Sequence, residues 1–147
     1  MRTDQEREVQ ALAADVVADC LAYRARRLSR EITRLYNDHL RPVGLNVTEM
    51  NLLAAVAAQG GAQPARLSRG LQMEKSTLSR NLKRLADQGW VAMRPNPEGR
   101  GDLVVVTGEG ATLLRLAIPA WEEAQRRALK LLDGALIPGF EAREGLS

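Results

Sequence analysis

Six residues in one short stretch carry most of the chemistry of this chain: Lys75, Ser76, Thr77, Ser79, Arg80 and Lys83. All are hydrogen-bond donors, several are cations and none is acidic. Such a set recognises acceptors, and the base edges and phosphates of duplex DNA offer mainly acceptors. To act together, these side chains must share the outside of one element. Leu78, Leu82 and Leu85 recur at i, i+4 and i+7, the apolar stripe of a helix spanning about residues 74–88. The six donors fall on its other faces. An ordinary solvated helix would carry similar residue types, and on this stretch alone the two readings weigh about the same.

The flanks shift that balance. Gly89 suits the left-handed conformation that ends helices. Residues 90–93 then read as a short strand and the β-branched run 103–106 as its return. Between them, residues 94–101 are dense in Pro, Gly and Asn, forming a long hairpin tip that carries Arg94 and Arg100. Before the basic helix, residues 65–71 read as a shorter helix, with Gly70 near its end and Gln72, Met73 and Glu74 as a tight turn. Helix, three-residue turn, helix and β-hairpin form a winged helix-turn-helix. The fold class expected is mainly α with a small β-hairpin wing.

At 147 residues and 45% hydrophobic content, the chain fits one globular domain. No uncharged run approaches membrane-spanning length, so no membrane partner is expected. The first eight residues are too charged for a signal peptide. One cysteine cannot form an internal disulfide, which fits a cytoplasmic location. Net charge is only +3, yet residues 66–100 hold eight basic residues against three acids. Positive charge gathered on one helix and hairpin is the footprint of a phosphate-binding surface. A charge cluster without a partner is the weaker alternative.

Along the chain, Thr3 and Glu6 suggest a capping box. Val9, Leu12, Val16, Cys20 and Tyr23, then Leu28, Ile32 and Leu35, predict one long helix or two abutting helices over residues 4–40. Nothing nearby in sequence covers that stripe, and a second copy of the chain is the simplest cover. A helix over residues 48–59 follows, with Thr48 as its cap and Met50, Leu52, Leu53, Val56 and Ala57 inward. Thr107 caps the last long helix, in which Pro119 should cause a kink. At most a helical turn is expected around residues 135–137, with fraying beyond it.

These pieces, in this order, resemble the MarR (multiple antibiotic resistance regulator) family of bacterial winged-helix transcription factors. The similar strings are residues 40–45 followed by Thr48, residues 75–80 followed by Leu82 and Leu85, the wing residues 94–100, residues 107–110, and Pro119-Ala120-Trp121 with Ala124 and Gln125. The resemblance implies a homodimer on a pseudo-palindromic operator, with residues 1–44 and 107–147 as helical dimerisation region and 45–106 as DNA-binding lobe. It places Ser76, Thr77, Ser79 and Arg80 on base edges and Lys75 and Lys83 near phosphate. Arg100 matches the arginine that enters the minor groove, with Glu98 as the acid orienting it. Glu98 stands where aspartate is commoner, and Gly99 removes one cation from the tip.

Family members often respond to small anionic phenols or to oxidation. Tyr23, Arg27 and Trp121 could line an effector pocket, although interface packing explains both aromatics better. Clustered arginines from Arg24 to Arg34 could receive an acidic ligand or form a solvated face. Cys20 reads first as a small hydrophobe on the apolar side of the first helix; Arg24 and Arg27 nearby keep a redox role open. One cysteine and one histidine, His39, cannot assemble a conventional zinc site, and no cofactor is expected. Near a helix end, His39 reads as a surface residue or a partner of the helix's C-terminal dipole rather than a ligand. Paired carboxylates, a nucleophile–histidine pair and a phosphate-cradling glycine loop are not evident, so no enzyme is expected. A winged-helix protein–protein adaptor is the other alternative; it calls for an apolar or acidic recognition helix, unlike this one.

Overall fold

Thr3 opens the first helix as its sequence predicts. Its hydroxyl accepts from the Glu6 amide at 3.3 Å, and the Glu6 carboxylate accepts from the Thr3 amide at 2.8 Å. From there the computed structural model describes residues 3–134. The elements are α1 (Asp4–Asp19), α2 (Leu21–Leu40), a 3-10 turn (Arg41–Val43), α3 (Val47–Ala58), α4 (Pro64–Gly70) and α5 (Lys75–Asp87). A hairpin of β1 (Val91–Pro95) and β2 (Asp102–Val106) and the helix α6 (Gly108–Gly134) complete the order. The expected turn at residues 135–137 lies outside the described residues. After Leu35 the chain passes from one compact unit into another.

In the first unit, the single apolar periodicity resolves into two helices. Cys20 adopts an extended conformation between them, so it lies at a break rather than on the apolar side of the first helix. No residue of α1 is buried; Val9, Leu12 and Val16 are 59%, 60% and 64% exposed.

The second unit holds the core. Leu52, Leu53 and Val56 of α3 pack with Leu67 of α4, Leu78 and Leu85 of α5, and Val91 and Val104 of the hairpin. Burying each such side chain contributes about 1.5–3 kcal/mol. Ala57 faces out, contrary to the sequence expectation. Asn46, not Thr48, caps α3: its side chain accepts from the Glu49 amide at 2.9 Å, and Glu49 accepts from the Asn46 amide at 3.0 Å. Only Asn46 has an acid three residues on, which closes the reciprocal box.

Four residues, not three, join α4 to α5. Gly70 stays helical, and Gln72 takes the left-handed conformation at φ 50°. Ser68 pins this turn, its hydroxyl donating to the Met73 carbonyl at 2.6 Å. Gly89 ends α5 at φ 76°, as expected. The hairpin starts one residue later than its sequence suggests and runs to Pro95, in the register Val91↔Val106 and Met93↔Val104. Ala62 adds a one-residue third strand by exchanging two 2.9 Å backbone bonds with Val104.

Thr107 caps α6. It accepts from the Gly110 amide at 3.0 Å and donates to the Gly89 carbonyl at 2.6 Å. Gly110 lies so close to β1 that a Cβ there would stand 2.0 Å from the Trp90 carbonyl oxygen. Pro119 removes one backbone donor, but α6 continues through it as a single helix. Ala117, Ala124 and Ala128 are buried, while Leu116 is 64% and Leu129 is 51% exposed. Tyr36 of α2 is buried and donates its hydroxyl to Gln125 of α6; burial raises its pKa above the usual 10.0. Among the described residues, no helix is long and apolar enough to cross a membrane.

Candidate nucleic-acid interface

On α5, Leu78 and Leu85 are buried and Leu82 half-buried, so the leucine stripe faces the core. Lys75, Ser76, Ser79, Arg80 and Lys83 are exposed on the remaining faces, and Thr77 is half-buried. Thr77 is engaged within the helix. Its carbonyl accepts from the Asn81 side chain at 2.8 Å, and its hydroxyl lies 3.5 Å from an Arg80 guanidinium nitrogen. Glu74, at the cap position, makes no side-chain bond to the first turn. The first amides of α5 therefore have no side-chain partner from that cap, an arrangement compatible with an anion. This open cap was not anticipated from the sequence.

The cationic segment is not uniformly available. Lys83 pairs with Asp87 at 2.7 Å on the surface, and Arg84 pairs with Glu49 at 3.0 Å. Arg66, Arg69, Lys75, Arg80, Arg94 and Arg100 make no ion pair among the described residues.

Arg94 is exposed on β1, and Arg100 is exposed at the hairpin tip. Gln63, just before α4, donates to the Arg100 carbonyl at 3.2 Å, and the Asn96 amide donates to the Gly101 carbonyl at 3.1 Å. The tip is thereby tied to α4 as well as to its own turn. Gln63 has no sequence signal pointing to this role. The Glu98 amide donates to the Asn96 side chain at 3.1 Å, and among the described residues Glu98 and Arg100 form no ion pair.

The residues proposed to sense ligands or oxidants lie elsewhere. Tyr23 and Arg27 are exposed on α2, with Arg27 3.3 Å from Glu31. Trp121 is half-buried on α6, and Cys20 is half-buried at the α1–α2 break. A different, apolar cavity of about 430 Å³ lies between α5 and the hairpin, lined by Leu78, Leu82, Val91, Met93 and Val104 among others. Lys75 and Lys83 also line it. Sequence periodicity assigns these leucines and valines to core and cannot reveal the space between them. No three His, Cys, Asp or Glu side chains cluster as a metal site among the described residues.

The model of the MarR family matches residues 43–100, from the end of the 3-10 turn through the wing tip. An HTH-type transcriptional regulator of Mycobacterium bovis is 31% identical over 118 residues, 80% of either chain. The chain belongs to the MarR family. The multiple antibiotic resistance protein MarR of Salmonella typhimurium is 35% identical over 81 residues, which cover 54% of this chain and 56% of that protein. The match to this relative thus spans just over half its length. Among solved structures, a mutant MarR from Escherichia coli in complex with operator DNA superposes with a TM-score of 0.70 at 24% identity, over 84% of this chain and 87% of that one. Apo wild-type MarR from the same organism gives 0.65 at 25% identity, over 80% and 86%. The MarR fold thus extends well beyond residues 43–100, across helices outside the matched segment.

Proposed function

We propose that this MarR-family chain is a cytoplasmic, sequence-specific DNA-binding transcriptional repressor that works as a homodimer. One observation carries the reading: the donor face of α5, without an acid from Lys75 to Lys83, stands beside a hairpin whose Arg94 and Arg100 make no ion pair among the described residues. That the E. coli relative was crystallised with operator DNA supports it.

In this mechanism each protomer lays α5 in a major groove, with half-sites about one helical turn apart on a pseudo-palindromic operator. Ser76, Thr77, Ser79 and Arg80 read base edges. Lys75, Lys83 and Arg94 hold phosphate, and Lys83 exchanges Asp87 for it. Arg100 enters the minor groove, where binding draws Glu98 toward it. Residues 1–44 and 107–147 form the dimerisation region, and 45–106 the DNA-binding lobe. The uncovered apolar residues of α1 and α6 support that division.

A small aromatic or anionic effector releases the operator by favouring a dimer whose α5 helices no longer match the groove spacing. Tyr23, Arg27 and Trp121 are each candidate effector contacts. The cavity against α5 is a second candidate, favoured by its apolar lining and its contact with the reading helix. Oxidation at Cys20 is the alternative input.

Selection of bound duplexes from random DNA tests the reading. A recurrent two-fold sequence, with affinity falling steeply as salt rises, is the expected outcome. Salt-insensitive capture of a protein, with no duplex selected, would favour the adaptor instead.

A further inference from the structure

Glu49 is the only charged residue buried in the described chain, at 1% exposure. One carboxylate oxygen closes the cap of α3, accepting from Asn46 at 3.0 Å. The other is buried and accepts no hydrogen bond of good geometry, yet lies 3.0 Å from Nε of Arg84. The Arg84 charge is therefore its compensation, and a buried carboxylate without such a partner is strongly disfavoured. The carboxylate cannot swing away, because the cap holds it. That end of α3 is fixed in turn by Asn37 of α2, which accepts from the Val47 amide at 2.8 Å.

Arg84 lies one helical turn beyond Arg80 on the same side of α5. We propose that Arg84 is a positioning residue: by pairing with the buried Glu49 carboxylate it sets the rotation of α5, and so governs base discrimination without itself holding a phosphate. The proposal rests on the DNA-binding reading above. It removes Arg84 from the cations available to DNA, although its side chain is 65% exposed.

The test uses the duplex that wild-type protein selects from random DNA and a scrambled duplex of equal length and composition. Affinities for both are measured across salt for wild type, Arg84→Ala, Glu49→Gln and the double variant. Arg84→Ala should lower the selected-to-scrambled affinity ratio about fivefold or more, with no change in salt slope on the scrambled duplex. Glu49→Gln keeps an acceptor for the Asn46 amide and makes the protein more positive. It should nonetheless lower the same ratio. The double variant should lose about as much as one single variant, not the product of both.

A phosphate contact gives the opposite pattern: Arg84→Ala weakens both duplexes alike and reduces the salt slope by about one, while Glu49→Gln strengthens both. That result overturns the positioning role. Should Arg84→Ala fail to fold, the ratio in Glu49→Gln decides. A wild-type protein that selects no sequence removes the DNA-binding reading and this role with it, whereas selective wild-type protein with unchanged variant ratios removes this role alone.

Discussion

Arg80 and Arg84 are one turn apart on the same helix, yet their surroundings differ. Arg80 is exposed with only a long contact to Thr77, so its guanidinium is available to a base. Arg80→Ala should cost roughly 1–3 kcal/mol of operator binding and relax base preference at one position, as measured by titration of single-base operator variants. Undiminished selectivity in a folded Arg80→Ala dimer would refute the assignment. The donor face was legible in the sequence because it is local: residue type and helical spacing define it. The partner of Arg84 was not, since Glu49 meets it only after α4 and the intervening turn bring the two helices together. Gly110 was legible only as part of a family-like string. Its reason is the Trp90 carbonyl, and Gly110→Ala should destabilise the fold by about 3 kcal/mol or more, read from urea unfolding.

The helices with a strong apolar stripe were predicted to within a residue or two, because 3.6-residue periodicity survives in any context that buries one face. α5 is the clearest case, ended by Gly89 as foreseen. Caps were less secure: Asn46 displaced Thr48 through its reciprocal bond with Glu49. The break at Cys20 had no glycine or proline to mark it. Contacts between α2 and α6 were beyond sequence reach, and Tyr36 with Gln125 is the one that titrates. Because burial raises the Tyr36 pKa, its contribution is complete below the ordinary value of 10.0 and is lost as pH rises through the higher folded value. Tyr36→Phe should cost about 1 kcal/mol at pH 7 and flatten the fall in stability on the alkaline side, checked by denaturant unfolding at fixed protein concentration.

For the whole molecule, the uncovered valines and leucine of α1 are the feature a lone chain leaves unexplained. Sedimentation should give twice the chain mass. Replacing Leu12 and Val16 together by glutamate should yield a monomer that has lost most of its operator affinity, since each half-site alone supplies only part of the contacts. A double variant that stays dimeric would move the interface away from α1. The seat of α6 on the Gly89–Trp90 corner has one more consequence. Thr107 clasps that corner and Gly110 leaves no gap beside it, so helix and hairpin meet without slack. A tilt imposed on α6 would therefore press first on the base of the strand that carries Arg94, while Gln63 anchors the far end of the hairpin at Arg100.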